Sequence, residues 1–348
     1  AELTKYKEFL RGQNHYDTYL LSGVSGVGAR SFYYPPHAEG NCNGCHLPLK
    51  PSRDFGAQYF DPAHNVRSIH DHLFPSANTG IAHLRGKPEI VQRHQVFLHE
   101  NLRVDIFGVK EGGAVDGPLH APLRPAVPVL RRGRTYLLEV VLRTLKLGHP
   151  FTQGTTDSNE AWVDARVVSG GRVIGRSGGR GSHGEVDPWS HFVNVFMLDR
   201  DGNRIDRRNA QDIFTPLYNH QIPPGAGQVV HYSFTVPDTA TAPLTVEVKL
   251  HYRKLDTIYF NYLFGHGYTN GMPFQVTNDL PITTLASDRI TFAVEGAAAS
   301  QISNLKSEVP LWQRWNDYGI GLLLEGDKGS EKGELIQAEQ AFAEVEKL

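Results

Sequence analysis

Apolar and polar positions change rhythm twice along this chain. Between about residues 96 and 295 the apolar residues fall in short runs with strand-like alternation, among them 102–109, 135–142, 161–168, 192–198, 229–236 and 244–252. Turn signals separate them: Ser169-Gly170-Gly171, Asp201-Gly202 and Pro223-Pro224-Gly225. Many short strands punctuated in this way predict an antiparallel β-sandwich. From about residue 308 the period becomes helical. One apolar-rich helix is predicted over 311–324, after Pro310, and a second over 334–348, where Leu335, Ala338, Ala341, Phe342 and Val345 share a face. Residues 1–95 are rich in Gly, Pro and His and poor in long periodic patterns, with a short helix expected over 4–11. The expected fold class is therefore mixed α and β, mainly β. A small loop/helix segment (1–95) precedes the sandwich (96–295), and a helical hairpin (308–348) follows it.

The N-terminal segment holds the chemistry. Cys42-Asn43-Gly44-Cys45-His46 spells C-x-x-C-H, the attachment signature of c-type haem, and uses both cysteines of the chain. Two thiols one helical turn apart can each add across a haem vinyl group, and the next imidazole then reaches the iron as proximal ligand. The competing uses of such a pair are a disulfide, a redox dithiol or half a zinc site. Zinc would require more thiolates or a histidine pair at finger spacing, and a redox motif would sit between strand and helix, whereas here a loop, 34–40, precedes it. One covalent haem on Cys42 and Cys45, with His46 on the iron, is expected.

Composition sharpens the ligand set. The chain has 17 histidines and only two methionines, Met197 and Met272, both far from the motif. Methionine is the common alternative sixth ligand, so bis-histidine ligation is expected. The distal candidates lie in Ile69-His70-Asp71-His72-Leu73-Phe74, where two histidines two residues apart in extended chain point the same way. His72 is favoured, then His70, with Asp71 as a carboxylate that could orient an imidazole. His37 and His64 are weaker candidates. His149, flanked by Gly148, could approach a prosthetic group closely, and His15 could serve a haem held by another chain. A hydrogen-bonded or surface role is the plain alternative for each.

Other features exclude functions. A net charge of −2 suggests no nucleic-acid or anionic-membrane partner. No apolar run is long enough to span a bilayer. The Gly23–Gly28 loop has no following Lys-Ser/Thr and no strand–helix frame, so it does not read as a phosphate cradle. Asp199-Arg200-Asp201-Gly202-Asn203 looks like the start of a calcium loop, but Ala210 stands where the twelfth-position glutamate belongs, and a hairpin turn is preferred.

Two stretches carry a family resemblance. Cys42 to Pro48, followed by Asp71-His72-Leu73-Phe74-Pro75-Ser76-Ala77-Asn78-Thr79, resembles the last haem segment of cytochrome c554-like multihaem cytochromes. Gly148-His149-Pro150-Phe151-Thr152-Gln153-Gly154, then Trp162 and Ser177-Gly178-Gly179, resembles the β-domain of the same group, in which tetratricopeptide repeats often follow. Trp315, Gly319, Ala338 and Phe342 are similar to one such repeat, although a plain helical hairpin docked on the sandwich reads equally simply. The resemblance implies electron transfer through a bis-histidine haem, with His72 or His70 distal. This chain departs from the group in carrying a single C-x-x-C-H motif, and Thr152-Gln153 replaces the usual Pro-Thr. A multihaem path would then need haems of partner cytochrome subunits, of further copies, or of sequence absent here.

The function expected is an exported, periplasmic or extracellular electron carrier in an oligomer or larger assembly, its signal peptide lying outside this sequence. Two alternatives stand beside it. One is a haem enzyme, a peroxidase or a reductase of nitrogen oxyanions or hydroxylamine, using Arg67 or Arg85 and nearby histidines. The other is a scaffold protein stapled by haem. No catalytic residue is assigned.

Overall fold

The computed structural model describes residues 15–29, 34–60, 63, 65–154, 158–297, 302–328 and 332–348. The helix expected over 4–11 lies outside these, as does His64. The chain is mixed and mainly β, built on antiparallel sheets with helices at its C-terminal end.

The first region contains helices α1 (Tyr16–Leu21), α2 (Asn43–His46), α3 (Thr79–Leu84) and α4 (Pro88–Leu98), and a two-stranded sheet of β1 (Leu49–Pro51) and β2 (Ser68–His70). The Gly23–Ser25 turn is a short 3-10 helix, closed by Gly26 in the left-handed region. Helix α4 is more regular than the sequence reading allowed. Pro88 starts it with φ already suited to a helix, and Val91, His94 and Leu98 form its buried face. Leu98 belongs to the core of the sandwich, so α4 straddles the expected boundary at residue 95.

Two four-stranded sheets form the sandwich. One has the order β10-β5-β3-β4, from Gly227–Thr235, Thr135–Thr144, Leu102–Glu111 and Leu119–His120. The other has the order β12-β11-β6-β7, from Thr283–Phe292, Leu244–Arg253, Glu160–Ser169 and Arg172–Ser177. A smaller pair, β8 (Val195–Leu198) and β9 (Thr215–Asn219), stands apart from both. Strands β7, β9 and β12, and helix α5 (Thr257–Phe264), were not among the predicted runs. Core side chains come from both large sheets, including Ile106, Leu138, Val140, Val163, Val246, Val248 and Ile290. Strand β11 alternates buried and half-buried positions, as a sheet with one wet face should. Strand β5 does not: from Tyr136 to Thr144 every residue is buried, because α6 (Leu311–Lys328) covers the outer face of its sheet.

That docking combines a small apolar core with buried charge. Tyr318 and Leu322 pack on Phe107, Val141 and Val229. Arg314 donates to both carboxylate oxygens of Asp105 at 2.8 Å, Asp317 accepts from Arg143 at 2.8 Å and from Arg103, and Tyr318 donates to Glu139 at 3.0 Å. Glu139, fully buried, also pairs with Lys110 at 3.1 Å and with His231 at 3.0 Å, and these partners hold its pKa down against the upward push of burial. The last helix, α7 (Lys332–Glu346), packs on α6, with Ala338 and Ala341 buried. Gly319 is the close-contact point: a Cβ there would lie 2.7 Å from the Phe342 ring. Gly319→Val is expected to force α7 away and to cost about 1–3 kcal/mol, the range of overpacking. Thermal unfolding measures it, and an unchanged Tm would show that the ring yields freely.

The Asp199 stretch is a turn. Asp199 accepts from the amides of Asp201 and Asn203 and from the Asn203 side chain, at 3.0, 2.7 and 3.1 Å, and these bonds lower its pKa.

Candidate functional site

Cys42 to His46 forms a single helical turn, closed by the His46 amide on the Cys42 carbonyl at 3.0 Å. Cys42 is exposed and Cys45 half-buried, and they are not joined to each other. Burial, then the charges of Glu39 and Cys42, push the Cys45 thiol pKa up.

The His46 ring is held on several sides. Its Nδ1 lies 2.8 Å from the Pro75 carbonyl, which takes the Nδ1–H and leaves Nε2 as the ligating nitrogen. Phe74 stacks on the ring at 4.8 Å and 11°, and Phe97 of α4 meets it at 5.4 Å. The fourth neighbour is His149, with ring centres 6.3 Å apart and planes within 9°. Its Nδ1 faces the Pro150 carbonyl at 3.2 Å, so its Nε2 is likewise the nitrogen left over. Burial, and the like charges that His15 and His46 would carry, lower the His149 pKa to about 4, so the ring is neutral at neutral pH, the state a metal needs. His15 lies edge-on to His149 at 4.9 Å.

Two segments distant in sequence make this pair. His149 sits on the loop after β5, with the Leu145 amide on the Asn101 carbonyl at 2.8 Å. The buried Tyr34 donates to the Leu147 carbonyl at 2.6 Å. Gly148 packs so closely that a Cβ would lie 3.1 Å from Tyr19 and 3.3 Å from Val24. The close approach expected of this glycine is thus made to the N-terminal segment.

His72 and His70 stand elsewhere. Strand β2 ends at His70, and Asp71 then turns the chain, its amide on the Pro48 carbonyl at 2.9 Å and its carboxylate accepting the Leu73 amide at 3.0 Å. The extended geometry that would align the two histidines is lost. His72 is exposed and makes no ring contact with His46 among the described residues. His70 faces the Leu47 carbonyl at 2.6 Å and Phe60 at 5.0 Å. Asp71 pairs with Arg93 at 2.6 Å and does not orient an imidazole. Of the histidines proposed as distal partner, it is His149, not His72 or His70, whose ring stands beside His46. His37 is exposed, and Arg67 is tied to the Ala57 carbonyl at 2.8 Å. Of the methionines, Met197 is buried in its own cluster in β8 and Met272 is in a loop.

Does a metal fit between His46 and His149? A metal–imidazole bond is about 2.0 Å long and the ring centre lies about 1.1 Å behind the nitrogen, so two rings on opposite sides of one ion have centres about 6.2 Å apart. The observed ring-centre spacing of 6.3 Å is close to that value. Each Nδ1 also has the carbonyl that ligating imidazoles normally carry behind them. His46 and His149, each with its Nδ1 at a carbonyl, are the residues that would hold an iron. Pro75, Phe74 and Phe97 are the parts that sequence reasoning missed; the Val91, His94 and Leu98 spacing of α4 was the available signal for the last.

No family model and no curated protein matches the chain. Among solved structures, a penta-haem cytochrome c552 from Thermochromatium tepidum aligns over 72% of this chain and 47% of its own, at 13% identity and a TM-score of 0.40. This chain thus spans about half the length of that cytochrome. A CARDB domain from Pyrococcus furiosus aligns over 56% of this chain and 95% of its own, at 9% identity and a TM-score of 0.20. Neither score defines a shared fold. Among the described residues, no helix is long and apolar enough to cross a membrane.

Proposed function

We propose that this chain is an electron carrier of the c-type cytochrome class. One haem is attached through Cys42 and Cys45 and ligated by His46 and His149. The observation that carries the reading is the His46–His149 pair at 6.3 Å, with planes within 9° and both Nδ1 atoms at carbonyls. A bound haem would supply the one-electron chemistry. The chain's own residues fix both imidazoles and cover the proximal one with two phenylalanines, Phe74 and Phe97. With His46 and His149 both holding the haem, no position on it would remain for a substrate, which favours transfer over catalysis. With a single motif in this sequence, electrons would pass to haems of partner subunits, further copies, or sequence outside it. Covalent haem attachment places the chain outside the cytoplasm.

The test is expression with a c-type haem maturation system, followed by mass measurement and a pyridine haemochrome count. One haem per chain and a low-spin spectrum, unmoved by carbon monoxide, are expected. A bare polypeptide mass would refute the reading.

A further inference from the structure

We propose that His94 of α4 is a positioning residue for the proximal imidazole, acting through the loop that carries Phe74 and Pro75. The inference rests on the functional reading above and adds a control point to it. The loop of residues 71–76 touches His46 twice, through the stacked Phe74 ring and through the Pro75 carbonyl. It holds an unfavourable shape, since Phe74 has φ 52°, a left-handed conformation that bulky residues rarely adopt. Such a conformation persists only where its surroundings over-determine it.

Two consecutive residues of α4 fasten the loop at its ends. Arg93 pairs with Asp71 at 2.6 Å, and the Ser76 amide donates to His94 Nδ1 at 3.0 Å. The ties differ in weight. The Arg93 side chain is 54% exposed, and such pairs contribute little. His94 is 5% exposed, so its bond to Ser76 is shielded from water and losing it would leave a donor unsatisfied. Phe97, one turn further along α4, rests on the His46 ring itself. Helix α4 therefore reaches the proximal imidazole directly at Phe97, and at His94 through Ser76 and Pro75.

The consequence is electronic. An imidazole whose Nδ1–H is firmly held by a carbonyl is a stronger donor to its metal, and stronger donation favours the ferric state. Freeing Ser76 from His94 loosens Pro75, weakens that bond and moves the reduction potential upward.

The experiment compares two near-isosteric substitutions in the haem-loaded chain. His94→Leu deletes the acceptor, and His94→Asn keeps an oxygen close to where Nδ1 stands. The leucine variant is expected to show a raised potential in spectroelectrochemical titration and altered ferric resonance values. The asparagine variant should return both towards wild type. Potentials equal to wild type in both variants would overturn the inference, and so would equal shifts in both, since packing alone would then explain them. Should the leucine variant not fold, hydrogen exchange on the wild-type holoprotein decides. A protected Ser76 amide is expected, and fast exchange there overturns the proposal. A wild-type chain without covalent haem would sink the functional reading itself, whereas normal haem with an unmoved potential would sink this inference alone.

Discussion

His149→Ala, in the haem-loaded chain, is expected to abolish six-coordinate ligation, giving a high-spin ferric spectrum and a ferrous form that binds carbon monoxide. The intact chain should do neither. His149 is the imidazole whose ring stands 6.3 Å from that of His46, with planes within 9°. His72→Ala is the informative control and should leave the spectrum unchanged, since His72 is exposed. One neighbour complicates the single variant. His15 lies 4.9 Å from His149 and could move into the opened position. The double variant His15→Ala/His149→Ala removes that route. A double variant that stays low-spin and refuses carbon monoxide would exclude His149 as the distal ligand.

The second large effect concerns stability. Arg314→Met is expected to cost about 3–5 kcal/mol, the usual penalty for stripping one partner from a buried ion pair. Arg314 has no exposed side-chain surface, grips both oxygens of Asp105, and also donates to the Leu123 and Arg124 carbonyls at 2.8 and 3.2 Å. Removing it leaves Asp105 to Arg124, which sits 3.2 Å away and already serves Asp288 at 2.5 Å. Against the roughly 5–15 kcal/mol that holds a domain together, this is a large fraction. Asp105→Leu/Arg314→Met should recover much of the loss, because removing both charges avoids stranding one. Denaturant midpoints on the three variants measure it. A loss below about 1 kcal/mol for Arg314→Met would place this contact with ordinary surface pairs.

How far the sequence was readable differs from element to element. Strand β11 reads correctly as alternating because one of its faces is wet. Helix α6 is harder. The stripe that meets the sheet includes Arg314, Asp317 and Tyr318, whose polarity marks it as a solvent face until Asp105, Arg143 and Glu139 are seen opposite. The helical pair was legible from Gly319 and Phe342, but not the surface it covers. Short strands such as β7 and β9 escaped notice, having too few residues to set a period. The proximal side of the site was half legible: the motif named His46, while the Pro75 carbonyl that orients it is backbone and leaves no side-chain signature.

The distal side shows the division most clearly. Residue types and local spacing determine chemistry that works within one turn of chain. C-x-x-C-H makes two thiols and an imidazole neighbours because a helical turn does so, and a shortage of methionine shifts the expected second ligand to histidine. Which histidine that is depends on where the chain returns. His70 and His72 are close in sequence, yet a turn stabilised by Asp71 lies between them, and His70 faces the Leu47 carbonyl instead. His149 lies more than a hundred residues away in the chain and arrives through a β-sandwich loop, drawn in by the Tyr34 bond and by the room left at Gly148. The meeting of two rings across that distance is decided by packing, which no local pattern encodes.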